Sequence, residues 1–387
     1  MAILNSAAEL KAEASEWRRH LHQNPELMFD VHDTAAFVTD KLKAFGCDEV
    51  VTGLGRTGVV AVIAGNKGEG DTIGLRSDMD ALPIKEATGK DYASLRAGKM
   101  HACGHDGHMA MLLGAAKYLA ETRNFAGKAV VIFQPAEEGG GGGDEMVKDG
   151  LMERFGIDRV YGMHNWPNLP AGEFAIRSGP FFAATDEFNI VIEGKGGHAA
   201  MPHNTVDPIV AGASLVQALQ SIASRNVDPI SSIVVSVTKF NAGHAHNVIP
   251  EKVELAGTLR SLVAETRELG EQRLYETAQG VASAHGCKAD VRFRRGYPVT
   301  VNHDVHTALA VEAAEHVVGK GQVDTDARPS MGGEDFSYML ESRPGSMILI
   351  GNGDSAGLHH PEYDFNDDII PFGISYWAQL VESNPVR

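Results

Sequence analysis

Three apolar runs in the first half of the chain, over residues 72–77, 128–134 and 159–163, each stop abruptly in a polar motif. The first runs into DMDALP, the second into PAEEGGGGGDEM and the third into His164. Runs this short, apolar through their centres, read as strands buried on both faces. Another is expected over 57–64. Helices are predicted between and around them: 7–22, followed by Pro25, 34–45, closed by Gly46, 109–119, and a short one near 144–149. Strands alternating with helices define an α/β fold with a mixed, mostly parallel sheet flanked by helices. Open sheets of this kind place their sites at the carboxyl ends of strands, which is where the polar motifs fall.

The texture changes near residue 181. Strand, helix, strand, strand, helix and strand are predicted over 188–193, 207–224, 232–239, 252–258, 265–285 and 289–294. That order is the ferredoxin-like α+β pattern. It reads as a domain spanning 181–296, inserted into a domain made of 1–180 plus 297–387. The outer domain resumes with helices over 305–318 and 337–340, a strand over 346–351 and a last helix over 370–383. A length of 387 residues suits two cores better than one.

Composition removes several function classes. The net charge is −17, from 34 basic and 51 acidic residues, which argues against a nucleic-acid surface or docking on anionic lipid. No apolar run approaches membrane-spanning length, and the first twenty residues lack the basic start and apolar centre of a secretory signal. Three cysteines, far apart, do not make a disulfide framework. A cytoplasmic location is the expectation.

The densest chemistry lies in KMHACGHDGHMAM, residues 99–111. Cys103 and His105, two apart on a glycine-containing loop, can face one ion. Such a pair alone is more often structural. Company at other strand ends changes the reading. Glu137 and Glu138 follow one strand; one can ligate a metal while its neighbour faces a water, although two acids on a solvated loop look the same in sequence. His164 ends the next strand, and His359 lies beyond a glycine-rich turn in GLHHPEYDFND. Cys103, His105, Glu138, His164 and His359 make five candidate ligands. A single catalytic zinc takes about three protein ligands, so two ions fit the count better. Paired dications suit hydrolysis, because they stabilise both the attacking and the departing group.

These motifs are similar to those of the hippurate hydrolase and aminoacylase branch of the di-metal aminopeptidase and carboxypeptidase G-like amidohydrolases, a branch that includes the plant indole-acetyl-amino-acid hydrolases. The matching stretches are RRHLHQNPEL, RSDMDALPI, KMHACGHDGH, FQPAEEGGGG, GMHNWP, GKGGHAAMPH, HNVIPE, GGEDF and LHHPEYDFND, in family order over nearly the whole chain. The resemblance implies a catalytic domain with an inserted lid and dimerisation domain. It implies two divalent ions per subunit, held by Cys103, His105, Glu138, His164 and His359; by donor type they are Zn²⁺ or Mn²⁺, with Co²⁺ or Ni²⁺ also compatible, and where many relatives bridge with an aspartate, Cys103 is the bridge we select here. It makes Glu137 the general base, His198 the lid histidine that stabilises the oxyanion, and Asn247 and Arg260 lid residues facing the substrate. Arg260 would pair with the substrate carboxylate, or else form a surface salt bridge. Many relatives use a His-x-Asp motif; here Asp78-Met79-Asp80 stands at that strand end, so Asp78 and Asp80 are expected to orient ligands rather than touch the ions. His101, His108, His203 and His360 are expected to be supporting or structural.

The implied reaction is hydrolysis of the amide of an N-acyl or N-aroyl amino acid to a carboxylate and a free amino acid, by a homodimer or homotetramer assembled through the lid. Within the same chemistry, an N-acetyl-diaminopimelate deacetylase or a small-peptide hydrolase fits the motifs. A silent metal- or ligand-binding relative is the non-enzyme alternative.

Overall fold

A computed structural model describes residues 5–385. They divide into two compact units, one of the described residues up to 179, 301–328 and from 335 onward, the other of 180–300 and 329–334. The second unit therefore runs slightly beyond the 181–296 expected and takes in a short return segment near residue 330.

The first unit holds an eight-stranded mixed sheet. Its centre is parallel: Thr72–Asp78 lies between Lys128–Gln134 and Arg159–Pro167, and Gly345–Gly353 continues the parallel pairing beyond. From Ala129 to Gln134 every residue is buried, as a strand covered on both faces requires. The antiparallel hairpin Glu49–Leu54 and Gly58–Ala64 forms one edge. Only Leu54 is buried in the outer strand of that hairpin, so no apolar pattern marks it, and it was not predicted. The two-residue strands Phe174–Ala175 and Val323–Asp324 at the other edge, and the five-residue helix Leu151–Phe155, were missed for want of length.

Helix Asn5–Gln23 buries Ala7, Ala14, Trp17 and Leu21, one stripe at helical spacing. It packs on His105–Thr122 and on Ile370–Glu382. Helix His105–Thr122 is buried nearly all round, from His105 to Ala116 without a break. Its polar first turn is thus held rigidly inside the unit, and the residues just before it carry Cys103.

The second unit is a four-stranded antiparallel sheet in the order Ile233–Ala242, Lys252–Ser261, Ala184–Glu193, Lys288–Arg295. This is the ferredoxin-like arrangement expected. Along Ala184–Glu193 burial alternates, with Phe188, Ile190 and Ile192 inside. Helices Pro208–Ser221 and Ala264–Ala284 contribute Leu215, Leu219, Leu274 and Ala278 to the same apolar cluster. Asp207 caps the first of them by accepting the Ile209 N–H. That helix passes into a π-helical turn at Ile222–Asn226. Among the described residues no helix is long and apolar enough to cross a membrane.

Candidate metal centre

Five segments of the first unit meet at the carboxyl ends of its parallel strands. Cys103 and His105 flank Gly104, whose φ of 87° is left-handed. A side chain there would also strike the Asn165 amide oxygen at 2.1 Å, so only glycine lets the loop seat against the strand that carries His164. Glu137 and Glu138 lie on the turn after Lys128–Gln134. His359 has a left-handed φ of 63° and donates its backbone N–H to the Ala102 carbonyl at 2.8 Å. The strained residue is thereby tied directly to the Cys103 loop.

The donor atoms converge in overlapping groups. One is Cys103, Glu138 and His359; another is His105, Glu137 and Glu138; a third is Asp78, His105, His108 and His164, each group within 4.8 Å. His359 Nε2 lies 3.3 Å from Glu138 Oε1, and His105 Nε2 lies 4.0 Å from the same oxygen. Cys103 Sγ is 3.5 Å from His164 Nε2. All five residues singled out from the sequence are thus brought together, with Glu137 beside them.

The outer faces of the rings explain their orientation. His105 Nδ1 meets the Asp80 backbone carbonyl at 2.7 Å, and His164 Nδ1 meets the Asn165 carbonyl at 2.6 Å. A carbonyl only accepts, so each Nδ1 carries the proton and each Nε2 lone pair is turned inward. Burial keeps both rings neutral, pushing His164 down to about 3 and His105 well below the usual imidazole range. The inward His105 Nε2 is buried and has no hydrogen-bond partner, and the buried Glu138 Oε1 has the His359 ring nitrogen beside it, at 3.3 Å. Two buried donors aimed at one point, beside a thiol and two further rings, suit divalent cations. Burial, then the charges of Glu138 and Glu137, push the Cys103 thiol well above its ordinary value; a dication at the same place would reverse that effect.

His108 joins the third group by distance, but both its nitrogens are engaged. Nδ1 donates to Asp78 Oδ1 at 2.6 Å, and Nε2 meets the backbone N–H and side-chain amide of Asn165 at 3.0 and 2.7 Å. Asp78 is similarly occupied, its second oxygen accepting from Arg76 at 2.9 Å. Asp80 accepts the backbone N–H groups of Glu137 and Glu138 at 2.8 and 3.2 Å. Burial and the Glu138 charge push its carboxyl well above the usual range, against the pull of those two N–H groups. His101 is buried with neither ring nitrogen hydrogen-bonded; His203 and His360 are exposed. Sequence reading did not single out Asn165, Tyr363, Gln134 or Asp335, which lock this arrangement from distant positions.

His198, Asn247 and Arg260 belong to the second unit. Exposed His198 pairs with Val248, and its Nδ1 accepts the Ala200 N–H at 3.1 Å, which leaves Nε2–H free to donate. Asn247 is exposed, its carbonyl taken by Ala199. Half-buried Arg260 has no acid within ion-pairing distance among the described residues.

Fold and donor cluster together define a metal-dependent hydrolase. Residues 74–383 match the peptidase family M20/M25/M40, and the chain belongs to that family. It is 42% identical over 381 residues to the hippurate hydrolase of Campylobacter jejuni, covering 98% of each chain. It is 45% identical over 354 residues to an N-acetyl-L-cysteine deacetylase of Bacillus subtilis, covering 91% of this chain and 83% of the relative. Among solved structures it is similar to the Bacillus subtilis YXEP protein, a dinuclear metal binding peptidase of the M20 family, with a TM-score of 0.84, 32% identity, and 97% and 98% of the two chains covered.

Proposed function

We propose that this protein is a metal-dependent amidohydrolase that cleaves the amide bond of N-acyl or N-aroyl amino acids, with Glu137 as general base. The observation that carries the reading is the buried, unpartnered His105 Nε2 facing Glu138 Oε1 beside Cys103, His164 and His359, with Glu137 next to them. Hydrolases of hippurate and of acetylated cysteine among the relatives support the substrate class. Cys103, His105, Glu138, His164 and His359 hold two divalent ions, zinc or manganese by donor type, with cobalt or nickel also compatible. The bound ions polarise the amide carbonyl and lower the pKa of water.

The remaining steps fall to the chain. Glu137, 8% exposed, takes a proton from the attacking water and later passes it to the departing nitrogen. Asp80 holds the Glu137 backbone still while this happens. His198 presents Nε2–H to the oxyanion, Asn247 faces the substrate, and Arg260, with no ion-pair partner of its own among the described residues, pairs with the substrate carboxylate. Exposed Val210, Val234 and Phe240, on helix Pro208–Ser221 and edge strand Ile233–Ala242, support a homodimer or homotetramer built through the second unit.

The test is Glu137→Gln, assayed on benzoyl-glycine and a panel of N-acetyl amino acids with metal content measured in parallel. Turnover should fall by roughly 10²- to 10⁴-fold with metal retained. Turnover near the parent's with metal still bound would reject the base. Adding N-acetyl-diaminopimelate and small peptides to the panel separates the narrower activities, and absence of turnover on every substrate with metal bound would favour a silent relative.

A further inference from the structure

The five-glycine run after Glu137 and Glu138 closes a loop whose ends almost touch: a Cβ on Gly142 would lie 1.7 Å from the Pro135 carbonyl oxygen. What holds the ends is Asp335, fully buried. Its two carboxylate oxygens share one N–H of the Gln134 side chain, at 2.7 and 2.8 Å, on the entering side, while the other N–H faces the Pro135 carbonyl at 3.3 Å. On the leaving side it accepts the Gly143 backbone N–H at 2.9 Å. Arg76, equally buried, completes the knot: Nε donates to Gln134 Oε1, one terminal nitrogen to Asp335 Oδ1 and the other to Asp78 Oδ2, each at 2.9 Å. The loop between these ends also contains Ala136, with a left-handed φ of 55°. Such a conformation persists only where its surroundings impose it. Asp335 touches none of the five candidate ligands and has no assigned part in the reaction, although its carboxylate lies within 4.8 Å of those of Glu137 and Glu334.

We propose that Asp335, fixed by Arg76, is a positioning residue for the hydrolysis: it ties both ends of the 135–142 loop and thereby sets the Glu137 carboxylate against the metal cluster. The proposal rests on the amidohydrolase reading for its catalytic consequence, but the tie itself is independent of that reading. A guanidinium fork is needed because it serves three acceptors in one plane. Two buried carboxylates, Asp78 and Asp335, share its charge.

The experiment uses full-length protein carrying Asp335→Asn, with Gln134→Met as a second variant that leaves the Arg76–Asp335 pair intact. Hydrogen–deuterium exchange is followed in peptides covering 135–143 and in strand Lys128–Gln134, and steady-state kinetics are measured with saturating metal. Exchange in the loop should accelerate about tenfold or more while the strand stays protected. In the same variants kcat should fall about tenfold with KM within about twofold, since a displaced base weakens the transition state and not substrate binding. Unchanged loop exchange in a folded variant would overturn the tie. A kcat within about twofold of the parent's at saturating metal, in a variant whose loop exchange has accelerated, would overturn the positioning role. Should Glu137→Gln prove fully active, the function reading falls, while the exchange result still decides the tie.

Discussion

Asp80 grips Glu137 by its backbone: one carboxylate oxygen accepts the Glu137 N–H at 2.8 Å, while the other takes the Glu138 N–H at 3.2 Å. The same residue's carbonyl takes His105 Nδ1 at 2.7 Å. One side chain and one carbonyl thus fix the proposed base and two candidate ligands together. Asp80→Ala should lower kcat by about 10- to 100-fold, and Asp80→Asn, which keeps one acceptor, should fall between it and the parent. Steady-state kinetics with metal analysis check this; equal, near-parent activity in both variants would show that the grip is dispensable.

Candidate ligands drawn from four segments that are distant in sequence should make the fold depend on the metal. Stripping with a chelator should abolish turnover and lower the melting temperature, and zinc or manganese should restore both. Free metal at about a thousand times its dissociation constant adds about 4 kcal/mol to a fold that binds it only when folded. Differential scanning calorimetry across a metal titration measures the effect; a melting temperature indifferent to chelator would contradict it.

Gly104 and Gly89 share positive φ, 87° and 67°, but not surroundings. A Cβ on Gly104 meets Asn165 Oδ1 at 2.1 Å and Tyr363 Oη at 2.7 Å, whereas at Gly89 it meets nothing within 4 Å. Gly89→Ala should cost about 1 kcal/mol, for the backbone alone. Gly104→Ala should cost at least about 3 kcal/mol and weaken metal binding, because it displaces the amide that meets His108. Chemical denaturation of both variants decides; equal losses would refute the contact argument.

The pattern of strand-end motifs made the convergence of the five candidate ligands readable from the sequence. Cys103, His105, Glu138, His164 and His359 each follow a buried strand or a glycine turn, so local patterning alone places them at one end of the sheet. The supporting layer left no such trace. Asp335 and Gln134 are 201 residues apart, Asn165 and Tyr363 198 apart, and their pairing follows from packing that no periodicity records. His108 carries the same difficulty in reverse: at ligand spacing from His105, it is consumed by Asp78 and Asn165. Strand Glu49–Leu54 escaped notice because its burial pattern does not alternate.

His22 offers a pH signature. Burial by itself would lower its pKa, but the Asp106 carboxylate at 2.8 Å outweighs that and Glu86 assists, so the ring titrates at about 9 instead of 6.5. A proton favoured by the folded state adds stability that is fully present below pH 6.5 and is lost as pH rises through about 9. The difference in unfolding free energy between the parent and His22→Gln should therefore shrink by on the order of 1–3 kcal/mol between about pH 6 and about pH 10. A difference that stays flat across that range would mean His22 is neutral in the fold.

The most direct test of the central claim is anomalous diffraction, at the metal's absorption edge, from crystals grown with zinc or manganese. Two peaks should appear in the first unit, enclosed by Cys103, Glu138 and His359 on one side and by His105 and His164 on the other, with Glu137 left uncoordinated. No peak there, a single peak, or metal bound elsewhere while these five side chains stay empty would contradict it.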